Sequence, residues 1–172
     1  MNSDKQHIFE SERLKFIVLT SKQLSLMAND IPSIEKELGV SYKGETVDSD
    51  YKRVLESASK NVAEDPDNIV WRSGWLIVRK SDNTVVGSSD FKRVPDENGE
   101  TEIGYGLSKE FEHNGYMTET VEFMCRFAGE HEGVKAVLAE TVPQNLPSQN
   151  VLKRCGFELY KTKENLWWKR KV

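Results

Sequence analysis

The chain has 172 residues, 30% of them charged, and its formal net charge is −4. This length is typical of one domain with a sizeable core, and the negative charge disfavours a surface that binds duplex nucleic acid. Because the sequence has no stretch typical of a signal peptide or a membrane span, and only two cysteines, we expect a single cytoplasmic domain over residues 1–172 without a disulfide framework.

The first half of the chain predicts one strand and two helices. Residues 13–19 alternate apolar and polar side chains at the spacing of a strand. A helix follows, with Thr20 or Ser21 as its N-cap. A second helix covers residues 48–65, and its apolar stripe consists of Tyr51, Val54, Leu55, Ala58 and Val62. Residues 31–46 give mixed signals, so no element is assigned to them.

The second half predicts six strands and two helices. The strands are assigned to residues 71–80, 85–91, 101–108, 134–142, 157–162 and 165–172. A crossover helix from Met117 to Glu130 joins the third and fourth of these strands. A shorter helix, with Ser148 as its N-cap and Gly156 as its stop, joins the fourth and fifth. The last strand mixes tryptophan with basic residues, which is typical of a sheet edge.

This order of elements predicts an α/β (α+β) fold. Hairpins joined by a single crossover helix give a mixed, mostly antiparallel, seven-stranded sheet flanked by about four helices. A parallel pair of strands should lie on either side of the crossover helix.

The strand at residues 101–108 and the turn after it form the main candidate site. Gly104 and Gly106 lie on one face of the strand, and such glycines often mark the close approach of a ligand or backbone. The next helix starts after Gly115 without a good side-chain cap, so several main-chain N–H groups are free. Together with the helix dipole, they make an anion site. Alternatively, Gly115 is an ordinary turn residue and Asn114 caps the helix.

Three ordered motifs resemble the GNAT superfamily of acyl-CoA-dependent N-acetyltransferases, and within it the ribosomal-protein N-terminal acetyltransferases. The stretch "EIGYGLS" resembles the family's fourth strand. The family's phosphate-binding signature falls on Glu112, His113, Asn114, Gly115, Tyr116 and Met117, followed by Thr118 and Glu119. The family's Asn-x-x-Ser…Gly-Phe segment falls on Asn145, Ser148, Gly156 and Phe157.

Two positions depart from the family signature. Glu112 stands where the family favours Gln or Arg, and Met117 stands where it favours Gly or Ala. A carboxylate beside a diphosphate would repel it. We therefore expect Glu112 to point to solvent and bind through its backbone, and Met117 to face the core.

The resemblance implies transfer of an acetyl group from acetyl-CoA to an amine in a ternary complex, without a metal. It also implies that the pantetheine arm pairs with the strand at residues 101–108, where the Leu107 amide is the candidate oxyanion donor, and that Asn145 binds a pantetheine amide. The expected CoA-binding residues are Tyr105, Gly106, Leu107, Glu112, His113, Asn114, Gly115, Tyr116, Met117, Thr118, Asn145 and Ser148.

The catalytic groups are less determined by the sequence. The amine must lose a proton, and Glu102, on the face of the glycine pair, is the preferred base, with Glu140 as the alternative. Glu102 can equally be a surface carboxylate paired with a Lys or Arg. Ser148 matches the family serine that contacts the thiol sulfur, although it can also serve only as an N-cap. Tyr105 or Tyr160 could act as the acid.

The sequence also bears on other classes of function. His7, His113 and His131, with the two cysteines, show no metal-ligand spacing. One alternative is a non-catalytic CoA-binding or interaction module, suggested by the departures at Glu112 and Met117. RNA binding through the basic and aromatic C-terminus is a third. We expect a small-molecule amine or a peptide N-terminus as acceptor, no nucleic-acid or membrane partner, and a monomer or homodimer.

Overall fold

The structure is a computed structural model that describes residues 5–172, while residues 1–4 of the predicted domain lie outside the described range. Over that range, nine strands form one sheet. They are β1 (His7–Glu10), β2 (Leu14–Val18), β3 (Ser41–Tyr42), β4 (Gly74–Arg79), β5 (Thr84–Phe91), β6 (Glu100–Leu107), β7 (Ala136–Thr141), β8 (Glu158–Thr162) and β9 (Leu166–Lys171). The helices are α1 (Ser21–Asn29), α2 (Ile31–Leu38), α3 (Ser49–Glu64), α4 (Ile69–Arg72), α5 (Tyr116–Gly129) and α6 (Leu146–Arg154).

The sheet is mixed and mostly antiparallel, as predicted. Its strands follow the order β1-β2-β4-β5-β6-β7-β9-β8, and β3 pairs with β5 outside this path. The parallel pair predicted on either side of the crossover helix is β6 and β7, joined by α5. The short pair β3 and β5 is also parallel.

The predicted counts of seven strands and four helices were too low, because four short elements were missed. Strand β3 has two residues and α4 has four, which is too little for a hydrophobic period to be visible. Strand β1 has four residues and only half-buries alternate ones. In α2, Ile31, Ile34 and Leu38 form an apolar stripe against the core, but this helix has only eight residues, so the stripe covers about two turns.

Two further predictions about exposure are wrong. Val54 is 62% exposed, so it does not belong to the buried stripe of α3. Strand β9 is not at the edge of the sheet, because it pairs with both β7 and β8. The edge strand at this end of the sheet is β8, whose five residues are all exposed.

Helix α5 covers one face of the sheet, and α1 and α3 cover the other, so residues of the candidate site lie on both faces. Phe127 of α5 packs on Trp75 of β4, with the ring centroids 5.0 Å apart. Cross-strand pairing places Ser89 and Tyr105 on this same face. The neighbouring positions Gly74, Asp90 and Gly104 lie on the other face, where a Cβ atom at Gly74 would lie 3.7 Å from Leu24 of α1 and where Tyr51 of α3 contacts Ser88.

Candidate active site

The parallel strands β6 and β7 separate along their length and leave a cleft. They pair from Glu100 opposite Ala136 to Ile103 opposite Ala139, and both strands then continue without pairing with each other. The Ser108 N–H donates to the carbonyl of Val86 on β5, so the preceding N–H, that of Leu107, points to the opposite side. Strand β6 therefore presents main-chain groups to an extended ligand in the cleft.

Helix α5 starts at the end of this cleft without a side-chain cap. Its N-cap residue is Gly115, in the left-handed conformation with φ +77°, and no side chain bonds to the free amides. The Asn114 side chain donates instead to the carbonyls of Phe111 and Glu112, both at 3.1 Å. The capping role considered for Asn114 is thus excluded, and the first amides of α5 stay available to an anion.

Arg13, which the sequence analysis did not identify, lies beside the start of α5. Its Nη1 donates to the Asn114 carbonyl at 2.8 Å, and its guanidinium lies 4.8 Å from the centre of the Tyr116 ring. Glu119 holds it there by accepting hydrogen bonds from Arg13 Nε and Arg13 N, both at 2.7 Å. Arg13 lies 102 residues before Gly115, so no local spacing could have indicated the contact.

Glu119 keeps its charge despite partial burial. Burial raises the pKa of its carboxyl, but hydrogen bonds from Ser11 and Arg13 outweigh this effect and leave the pKa below its ordinary value. On the other side of the helix start, Arg154 of α6 places Nη2 3.3 Å from Thr118 Oγ1. Two guanidinium groups therefore flank the free amides.

The remaining residues of the phosphate signature take the orientations expected from the sequence. Glu112 and His113 are exposed, so the Glu112 carboxylate can turn away from a bound anion. Met117 is partly buried and packs against the hydrophobic core.

Tyr105 and Ser148 meet across the cleft. The Tyr105 hydroxyl lies 2.8 Å from Ser148 Oγ, and burial raises the pKa of Tyr105 to about 12. The predicted N-cap role of Ser148 is wrong, because Asn145 caps α6 by accepting from the Ser148 main-chain N–H at 3.2 Å. The Asn145 amide nitrogen is left to donate to a ligand. Tyr160, the other acid considered, is 44% exposed on the edge strand β8.

The two candidate bases differ in their surroundings. The Glu102 side chain is 13% exposed and forms an ion pair with Arg93, at 3.3 Å. Burial raises the pKa of Glu102, and the opposing effect of Arg93 is smaller. Glu102 is therefore paired with an arginine, as the alternative interpretation expected, and it also has the raised pKa that favours a base. Glu140 is exposed and accepts a hydrogen bond from Asn165 at 2.7 Å.

The face of the glycine pair opens into a pocket of about 230 Å³ that sequence spacing did not indicate. A Cβ atom at Gly106 would lie 2.7 Å from Glu45 Oε1, and one at Gly104 would lie 2.6 Å from Lys92 Nζ and 2.7 Å from Asp90 Oδ1. The missing side chains thus make room for the Glu45 carboxylate and for the Lys92–Asp90 ion pair at the surface of β6. Ser89 also borders the pocket, but its side chain lies on the α5 face of the sheet, where among the described residues its buried hydroxyl has no hydrogen-bond partner.

Within residues 5–172, no group of three or more His, Cys, Asp or Glu side chains is arranged to hold a metal ion. No helix in the described part of the chain combines the length and the hydrophobicity needed to cross a bilayer.

Comparison with known proteins adds independent findings. The family model described as Acetyltransferase (GNAT) domain matches residues 32–158. YjdG of Bacillus subtilis (strain 168), named as an uncharacterized N-acetyltransferase, is 30% identical over 163 residues, which cover 88% of this chain and 96% of the relative.

Solved structures resemble the chain over nearly its whole length. Ribosomal-protein-S5-alanine acetyltransferase from Vibrio fischeri has a TM-score of 0.68 at 15% identity, with 96% of each chain covered. The microcin C7 self-immunity acetyltransferase MccE, solved with acetyl-CoA and AMP, has a TM-score of 0.65 at 15% identity, with 94% of each chain covered. At these identities the structures establish a shared fold.

Proposed function

The chain belongs to the GNAT acetyltransferase family, and from this premise we propose that it moves the acetyl group of acetyl-CoA directly to a primary amine. The observation that carries the proposal is the uncapped start of α5, flanked by Arg13 and Arg154, at the end of the β6–β7 cleft. Cationic side chains and free amides suit a diphosphate, while the free edge of β6 beyond Ile103 suits the amide-containing pantetheine arm.

We assign the binding of acetyl-CoA to three groups of residues. The free amides of Tyr116, Met117 and Thr118, with the two guanidinium groups, bind the diphosphate. The main chain of β6 from Tyr105 to Leu107 binds the pantetheine arm, and the Asn145 amide nitrogen donates to it. This arrangement places the thioester beside the Leu107 N–H.

The chemistry then needs a base, an oxyanion donor and a proton for the leaving thiolate. Glu102 lies about 13 Å before Gly106 along β6, so it accepts the proton of the amine through a chain of water molecules, and its raised pKa brings it closer to neutral pH. The C–N bond forms while the Leu107 N–H stabilises the carbonyl oxygen as it becomes negative. The C–S bond breaks, and the thiolate takes a proton from Ser148, which Tyr105 replenishes across their 2.8 Å contact; Tyr105 regains its proton through solvent, to which the nitrogen of the new amide loses its second proton.

The test is the release of free thiol from acetyl-CoA in the presence of amines and of peptides with free N-termini, with the product identified by mass. We expect turnover with at least one acceptor class, and a fall in kcat of roughly 10²–10⁴-fold in Glu102→Gln with the affinity for acetyl-CoA retained. Binding of acetyl-CoA without thiol release for any acceptor would instead support a non-catalytic CoA-binding module. A wild-type rate in Glu102→Gln would remove this residue as the base.

A further inference from the structure

The pocket on the glycine face has one wall from the sheet and one from helices. Its sheet wall includes Ser88 and Asp90 of β5 and Gly106 of β6. Apart from Arg72 at the end of α4, the residues that line its helical wall are apolar or aromatic, and they are Leu24, Tyr51, Val54, Leu55 and Ala58. The pocket therefore joins an apolar interior to the stretch of β6 that would hold the thioester.

Glu45 is the charged group of this pocket that stands without a partner. Asp90 pairs with Lys92 at 3.4 Å, and Arg72 pairs with Asp65 at 2.8 Å. Among the described residues, no side chain forms an ion pair or hydrogen bond with the Glu45 carboxylate. The unbalanced charge in the pocket is thus negative, and it favours a cation.

The position of Glu45 brings this charge close to the reacting end of the cofactor site. Its Oε1 lies 2.7 Å from the position of a Cβ atom at Gly106, the neighbour of Leu107. Glu102 lies four residues before Gly106 on the same strand, which corresponds to about 13 Å at roughly 3.3 Å per residue. Glu102 is also held by Arg93. Glu45 is therefore the carboxylate nearest to where an amine would meet the thioester.

The size of the pocket restricts the acceptor. Ligand pockets for drug-sized molecules range from about 300 to 1,000 Å³, and this one holds about 230 Å³. A polyamine with several charges would bury ammonium groups against Leu24 and Leu55 without a counter-ion, which is unfavourable. A compact amine with one charge and an apolar body matches both walls.

From these observations we propose that the pocket is an acceptor site for a compact, apolar primary amine whose ammonium group is bound by Glu45. The proposal rests on the proposed function, because it assigns the second substrate of the same active site. It also accounts for the exposure of Val54, because this apolar residue of α3 lines the pocket.

The experiment compares amine binding with turnover in wild type, Glu45→Gln and the control Glu56→Gln, an exposed carboxylate of α3 outside the pocket. The probes are 3-methylbutylamine and 2-phenylethylamine, with spermidine and a peptide N-terminus as contrasts. Calorimetric titration in the presence of CoA measures amine binding without chemistry. Thiol release measures turnover.

We expect both compact amines to bind wild type and the control equally, and to bind Glu45→Gln about tenfold more weakly, with acetyl-CoA affinity unchanged. Equal binding by Glu45→Gln, or stronger binding of spermidine or the peptide than of either compact amine, would overturn the proposal. Compact amines that bind through Glu45 without any thiol release would refute the proposed function while leaving the acceptor site supported.

Discussion

Replacement of Gly115 by Asp tests the anion site at the start of α5. An L-residue in the left-handed conformation costs about 1–2 kcal/mol. The new carboxylate, however, lies at the positive end of the helix dipole, and a Cβ atom there would be 3.3 Å from Arg13 Nη2. Such an anion contributes about 0.3–1 kcal/mol. We therefore expect Gly115→Asp to be only about 0–2 kcal/mol less stable than wild type without ligand.

The effect on acetyl-CoA binding should be much larger, because the carboxylate competes with the diphosphate for the same amides and the same guanidinium. At about 100 times Kd, the ligand stabilises wild type by about 2.7 kcal/mol, or about 5–11 °C in Tm for a chain of this size. A hundredfold loss of affinity leaves about 0.4 kcal/mol, or about 1–2 °C. Thermal unfolding with and without acetyl-CoA measures both quantities.

Two controls separate charge from strain. Gly115→Ala adds the strain without the charge, so it should be less stable than Gly115→Asp yet retain more of the ligand-induced shift. Gly133→Asp adds both the strain and the charge at another left-handed position, with φ +84° and no atom within 4 Å of the new Cβ. This variant should retain the full increase in Tm on addition of acetyl-CoA. A wild-type shift in Gly115→Asp would show that the diphosphate does not bind at this helix start.

Three further predictions address other parts of the site. Arg13→Gln should weaken acetyl-CoA binding about tenfold, measured by titration calorimetry, while Arg53→Gln on α3 leaves it unchanged. An equal loss in both variants would contradict a local role for Arg13. Ser89→Ala should change the free energy of unfolding little or raise it, because the hydroxyl is buried without a partner, whereas Ser73→Ala, which removes a buried hydrogen bond to the Leu19 carbonyl, should cost about 1–3 kcal/mol. Destabilisation by Ser89→Ala in denaturant titration would show that its hydroxyl is satisfied. Burial raises the pKa of Glu102, so the contribution of Glu102 to the free energy of unfolding is present below the ordinary carboxyl pKa and is lost as the pH rises through the pKa of the folded protein. Glu102→Gln should remove this contribution from the pH dependence of the free energy of unfolding. An unchanged pH dependence in this variant would show that the pKa of Glu102 is not raised in the folded protein.

Local sequence was sufficient to identify the uncapped start of α5, where we propose that the diphosphate binds. The free amides of α5 depend on a few consecutive residues around Gly115, where a left-handed glycine and an uncapped helix start can be read directly. The regular strands and helices of the second half were identified for the same reason, since their hydrophobic periods are local. The short elements β3 and α4 were missed because they contain less than one period.

The contacts that bring distant residues to the site depend on the tertiary structure. Arg13 reaches the start of α5 because the turn between β1 and β2 lies beside it, and Tyr105 meets Ser148 because α6 packs across the cleft from β6. Glu45 comes to Gly106 through the β3–α3 connection. Such contacts join residues 43 to 101 positions apart, and they depend on strand order and helix packing. Residue spacing along the chain does not predict these contacts, because local propensity determines where a helix or strand begins and ends, while tertiary packing determines which residues that helix or strand faces.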